Sequence, residues 1–321
     1  MKKILTLALM AAATLSSTVS AQILWKVEKP GNAHVSYILG THHLAPVAII
    51  DSLENLPAAI KGADRMYGEI EMADIMSPES IAQMQQSLMA PADSTLDKVL
   101  TPDQLAQVKA AFDPFTGGQM PLEMLYPLKP AAISTQLAAM LASEVFPTLD
   151  PTAGIDNTMQ TRAAEAGVPV DGFETMQFQL DMLYGRPIEK QAKGLVKMVG
   201  DIEGEKRNTL ALSEAYIAHD IEALYRLMLD EEEDPEEFET LIYSRNDNWT
   251  KRMLEEMPEA SLLVVVGAGH LPGERGLLPH LGDAGSHVPS AECKLLAAAI
   301  LIDIEEVCFS CSRKGTPALA G

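Results

Sequence analysis

Cysteine is scarce in this 321-residue chain: there are three, Cys293, Cys308 and Cys311, all close to the C-terminus. No disulfide framework is offered across the body of the chain, so a sequence that is 47% apolar must hold itself together by burying those residues. Cys308-Phe309-Ser310-Cys311 has the spacing of a redox or metal-binding pair, but no second pair and no clear strand-to-helix context accompanies it. Basic residues are also few, 24 against 45 acidic ones, for a formal net charge of −21. That balance excludes nucleic acid and anionic membrane surfaces as partners, because both need clustered Lys and Arg. A run long and apolar enough for an ordinary membrane span is missing, so no integral membrane span by a helix is expected. Two familiar signatures of hydrolases are absent as well, the Gly-x-Ser-x-Gly elbow and the His-Glu-x-x-His helix, so no side chain stands out as a nucleophile.

What is present begins with Met1-Lys2-Lys3, an apolar stretch over 4–13 and Val19-Ser20-Ala21, the charged start, apolar middle and small-residue end of a secretory signal peptide. Cleavage near Ala21 is expected, giving a protein exported to the periplasm or the extracellular space, with no cysteine at the cut for a lipid anchor. The acidic run Asp230-Glu231-Glu232-Glu233-Asp234 reads as a solvated loop or first helical turn and lacks the glycine-centred spacing of a calcium loop.

The body of the chain is organised by two copies of one device, an apolar strand running into Gly-x-x-His-Leu. The first is 36–39 followed by Gly40-Thr41-His42-His43-Leu44; the second is 262–266 followed by Gly267-Ala268-Gly269-His270-Leu271. Each turn carries a histidine past the C-terminal end of a strand, the edge where open α/β sheets bind ligands, and imidazole is both the commonest metal ligand and a ready base. Two such histidines from distant stretches can meet over one site.

Around them, 24–28 alternates like a half-buried strand and Lys29-Pro30-Gly31-Asn32 turns it into a hairpin with 34–39. A helix is expected over 52–61 with Ser52 as N-cap. Residues 66–72 read as a strand with Tyr67, Glu69 and Glu71 on one face; beside a metal-binding histidine, Glu69 is the natural oxygen ligand. Helices are expected over about 78–150 and 176–257, with Thr101 capping one that starts at Pro102, and Val168–Phe173 is a short strand that presents Glu174 at its end. Arg245 and Asn246, side by side in the last helix, cannot both face the core on helical spacing; the arginine is either a surface residue or a guanidinium aimed into the site. The chain beyond Gly285 shows no convincing closing strand apart from Ser286-His287-Val288, and 291–321 reads as a tail outside a single domain over 22–290.

These pieces, in this order, resemble the TraB/GumN family, related to the Tiki metalloproteases. They are Leu24-Trp25, Tyr37-Ile38-Leu39-Gly40-Thr41-His42-His43-Leu44, Ala63-Asp64 with Glu69, and Gly154-Ile155-Asp156. Gly172-Phe173-Glu174-Thr175, Arg245-Asn246-Asp247-Asn248-Trp249 and Val266-Gly267-Ala268-Gly269-His270-Leu271-Pro272-Gly273 follow. The family pattern places its histidine at His43, and His42 stands where the family has an apolar residue. The resemblance implies an α/β domain of the kind shared with erythromycin esterases and ChaN-like haem-binding proteins. It would have two related strand-helix halves forming a mixed central sheet and a large helical insertion between them. It also implies a divalent metal, as in the manganese- or cobalt-dependent activity attributed to Tiki proteins.

On this reading His43, Glu69 and His270 hold the ion, with Glu174 a further ligand or the general base and Arg245 steadying an oxyanion or a substrate carboxylate. Mixed histidine and carboxylate ligands suit manganese, iron, cobalt or zinc alike. The expected activity is hydrolysis of a peptide or protein substrate. The rival expectation is a binding protein of the same fold that sequesters a peptide pheromone or holds haem.

Overall fold

The computed structural model describes residues 22–289 apart from 44, 76, 147–153, 232 and 233. The stretch read above as a signal peptide, the three cysteines and the segment read as a tail lie outside the described residues. Five strands form one mixed sheet in the order β1-β2-β5-β3-β4: β1 Leu24–Glu28, β2 Val35–Thr41, β3 Arg65–Gly68, β4 Val170–Gly172 and β5 Leu262–Gly267. The hairpin β1–β2 is antiparallel, and β2, β5, β3 and β4 run parallel. A strand from the far end of the chain therefore sits between two from its beginning. Its sequence, Leu262-Leu263-Val264-Val265-Val266, is apolar throughout because a central parallel strand is covered on both faces, and all five residues are buried.

This interleaving brings the two histidine turns together. In the parallel register Gly40 pairs with Val266 and Thr41 with Gly267. A Cβ on Gly40 would stand 3.1 Å from the Ala268 Cα, so the glycine of the first turn is what lets the backbone of the second pack against it. Helices cover the sheet, and a second apolar cluster, built on Leu96, Phe112, Ile133, Leu137 and Leu195, forms the core of the helical region. There Thr101 closes a capping box with Gln104 ahead of the helix Pro102–Thr116, as its sequence implies.

Several boundaries differ from those expected. The helix placed over 52–61 divides into Ala48–Asp51 and Leu56–Gly62, and Ser52 ends the first piece, its hydroxyl donating to the Ile49 carbonyl at 2.6 Å, instead of starting the second. The strand placed over 66–72 stops at Gly68. The Gln160 amide approaches so closely that a Cβ on Gly68 would lie 2.5 Å from Nε2, and Gln160 then bonds both the Ile70 carbonyl (2.8 Å) and the Met72 N–H (2.8 Å) in place of a ladder. Glu69 thus lies past the strand in a turn, and strand alternation does not govern where it points. The segment after Gly285 supplies the closing edge: His287 bridges Glu28, and Lys26 N–H donates to the Pro289 carbonyl. Among the described residues no helix is long and apolar enough to cross a membrane.

Candidate active site

The C-terminal ends of β2, β3, β4 and β5 converge on a cluster in which the structure places Glu69, Glu174, Arg245 and His270 together. Arg245 is its centre. The side chain is 6% exposed, and all five N–H donors of the guanidinium fork find acceptors. Nε donates to Glu174 Oε1 (2.9 Å), and Nη2 to Glu69 Oε2 (2.5 Å) and Glu174 Oε2 (3.0 Å). Nη1 donates to the Leu241 carbonyl (2.8 Å) and faces His270 Nε2 at 3.1 Å. The guanidinium also lies 4.6 Å over the Trp249 ring, whose Nε1–H donates to Glu174 Oε1 at 2.9 Å.

Arg245 and its neighbour Asn246 are both buried, contrary to the expectation that only one could face inward. The helix Ser244–Glu256 is enclosed on adjoining sides. Arg245 faces the carboxylates, while Asn246 faces the turn after β5 and donates through Nδ2 to the carbonyls of His270 (3.2 Å) and Arg275 (2.8 Å). With both amide hydrogens so engaged, Oδ1 must be the atom 2.7 Å from His270 Nδ1, and it accepts that ring's proton. His270 is therefore protonated on Nδ1 and carries its lone pair on Nε2, where Arg245 donates. Burial lowers its pKa to about 3 against the pull of Glu69, so the ring stays neutral through the physiological range.

Glu69 is ionised. Burial raises its pKa, but Arg245, then His270 and His43, and the Gly267 N–H at 2.9 Å outweigh burial and hold it at about 2. Gly267 has no side chain to obstruct that bond; a Cβ there would stand 3.3 Å from Glu69 Oε1. Gln179, from the helix Met176–Tyr184, donates to Glu69 Oε2 (3.0 Å) and Glu174 Oε2 (3.2 Å), bridging the two carboxylates a second time.

His43 stands apart at the rim, its side chain 64% exposed, with Nδ1 2.7 Å from Asp156 Oδ2; the other oxygen of Asp156 accepts from the Thr41 hydroxyl at 2.9 Å. The Asp156 charge and hydrogen bond raise the pKa of His43 to about 9, so it is protonated at neutral pH. A stability consequence follows. Because the folded pKa lies above the ordinary 6.5, the contribution of the pair is complete below pH 6.5 and is lost as pH rises through 9. Solvent screening limits it to about 0–1 kcal/mol. Melting temperatures across pH 6–9.5 should therefore show a small decline in the wild type that His43→Ala abolishes. His42, by contrast, packs 5.5 Å from the Tyr216 ring, and burial lowers its pKa to about 4.

His43, Glu69, Asp156, Gln160 and Gln179 line one cavity of about 570 Å³, with Ile70, Met72 and Ile75 as its apolar wall. A second cavity of about 440 Å³ lies against the Asp51–Arg162 ion pair and holds none of these residues.

The donors are of the kinds that hold divalent ions. Glu69 Oε1 and His270 Nε2 are 3.9 Å apart, a gap two bonds of about 2.1 Å can span. Both histidines are tied through Nδ1 to a side-chain oxygen, the usual outer support of a histidine that offers Nε2. Yet no three His, Cys, Asp or Glu side chains stand together as a metal site among the described residues: Glu69, Glu174 and His270 close on Arg245, and His43 pairs with Asp156. Asp156, Gln179, Asn246 and Trp249 are cluster members to which the sequence reading gave no role. Asp156, Asn246 and Trp249 lie in the motif pieces quoted above, whereas nothing in the sequence marks Gln179.

A mixed five-stranded sheet with histidine, carboxylate and guanidinium groups gathered at the C-terminal ends of its parallel strands defines an α/β protein with a polar site at the sheet edge. The chain matches the TraB/PrgY/gumN family over residues 23–290 and belongs to it. No curated protein and no solved structure gives a significant match.

Proposed function

We propose that this protein is an exported hydrolase of peptides or proteins that takes a divalent cation at Glu69 and His270, with His43 as third ligand. The observation that carries the reading is the pair of histidines from remote stretches, each held through Nδ1 by a side-chain oxygen, with the Glu69 carboxylate 3.9 Å from His270 Nε2. A divalent cation supplies Lewis acidity, bringing the pKa of water from about 15.7 to about 7, in a site whose side chains offer no evident nucleophile. Taking it requires His43 to give up its second proton. The chain's own residues do the remaining work. Asn246 fixes the His270 tautomer, Gln179 and Trp249 hold the carboxylates, and Glu174 would serve as a further ligand or as the general base. Arg245 supplies positive charge for an oxyanion or a substrate carboxylate. The apolar wall of Ile70, Met72 and Ile75 beside the amides of Asn157 and Gln160 suits a peptide segment.

The test is incubation of residues 22–321 with a peptide library, with and without chelator and added manganese, read by mass spectrometry. Cuts that vanish with chelator and in His270→Ala are expected; cuts that persist in both would refute the reading. One observation favours the rival, a non-catalytic binding protein: every acceptor around Arg245 is already satisfied within the chain. In that case the library would yield bound but uncut peptides.

A further inference from the structure

The residues that lead into β1 are anchored before the strand begins. The Ile23 carbonyl accepts from the Gly40 N–H at 2.7 Å, which carries the β1–β2 pairing one residue beyond Leu24 and Leu39. Ile23 and Leu24 are fully buried, and Gln22 is 4% exposed. The Gln22 Oε1 atom is itself buried and has no hydrogen-bond partner. Continuing the same antiparallel register sets Gln22 opposite Thr41, two residues before His43.

Cleavage after Ala21 makes Gln22 the first residue of the mature chain. A free amino end would then bring an α-ammonium into this enclosed place, where a charge without a partner is costly. Glutamine at a chain start has an alternative form. Its neutral α-amine attacks the side-chain Cδ, and the new N–Cδ bond closes a five-membered lactam. The Cδ–Nε2 bond breaks, and Nε2 leaves as ammonia with the proton that the amine gives up. Nothing is oxidised or reduced, and the product, pyroglutamate, has no ionisable amine.

We infer that Gln22 is a modification site: the mature chain begins with pyroglutamate, and the uncharged lactam is the end that fits ahead of β1. This rests on the export reading above and adds the covalent form of the chain start. Because the reaction is intramolecular, burial of Gln22 in the folded protein does not bar it; closure while the chain is still unfolded lets the ring be buried with Ile23.

The experiment is expression of the full chain in a bacterial host, recovery from the periplasm, and intact mass with tandem mass spectrometry of the N-terminal peptide. The expected chain begins at residue 22 and is lighter than the glutamine form by one ammonia. Gln22→Asn, whose shorter side chain would have to close a strained four-membered ring, should keep its full mass. It should also melt a few degrees below the wild type, because its ammonium remains. A chain that begins at residue 22 with its glutamine intact would overturn the inference and leave export standing. So would a cyclised protein that melts no higher than Gln22→Asn. A chain that begins at Met1, or at any residue other than Gln22, would overturn the cut after Ala21 and the inference with it.

Discussion

Replacing Arg245 with methionine should lower unfolding stability by about 3–5 kcal/mol in metal-free buffer, because it leaves Glu69 and Glu174 buried side by side with their shared cation gone. The loss should depend on pH in a defined direction. In the wild type the Glu69 pKa is held at about 2, below the ordinary 4.5, so its contribution is present above pH 4.5 and is lost as pH falls through 2. In the variant Glu69 has lost that support and burial favours its protonated form, so the deficit should be largest near neutrality and shrink on acidification. Urea unfolding at pH 7.5 and at pH 4 measures both. An unchanged urea slope would show that the midpoint shift reflects stability and not the compactness of either state. A variant as stable as wild type at pH 7.5 would mean that the two carboxylates do not need the guanidinium.

The second large effect is expected at Asn246, which is fully buried and makes three hydrogen bonds. Leucine has nearly the same shape but leaves the His270 Nδ1–H and the carbonyls of His270 and Arg275 without these partners. At about 1–3 kcal/mol for each orphaned group, Asn246→Leu should cost about 3 kcal/mol or more. It should also release the His270 tautomer. With nothing to hold the proton on Nδ1, the Nε2–H form becomes populated, and that form offers no lone pair toward Glu69 and Arg245. Loss of such an orienting partner is expected to weaken metal binding by about 10–100-fold. Long-range nitrogen–proton NMR spectra of the histidines report the tautomer directly. A His270 that stays Nδ1-protonated in Asn246→Leu would show that the ring, and not the asparagine, sets the choice.

The parts of this arrangement that were legible in the sequence are those governed by local patterns. The β1–β2 hairpin follows from alternation and a Pro-Gly-Asn turn, and β5 from an unbroken aliphatic run. The repeated Gly-x-x-His turn points to two histidines at one sheet edge, and the pairing of β2 with β5 explains how chain ends more than 200 residues apart supply them. Glu69 was singled out by strand alternation although β3 ends before it; its carbonyl still accepts from the Glu174 N–H, and the Gln160 amide takes over from the ladder only at Ile70 and Met72. Arg245 and Asn246 mark the limit of helical spacing as a guide. A period of 3.6 residues says which residues share a face, but not how many faces of a helix are covered. Gln179 was invisible for a related reason: its partners, Glu69 and Glu174, meet only when β3 and β4 pair. The closing edge at His287 rests on one bridge and one flanking bond, so Ser286-His287-Val288 stood out in the sequence only as the nearest thing to a closing strand.

Diffraction from a crystal of residues 22–321 soaked in zinc, collected at the zinc absorption edge, tests the cation site most directly. An anomalous peak bonded to Glu69 and His270 Nε2 is the expected result. Data showing no peak at that position under saturating zinc would contradict it.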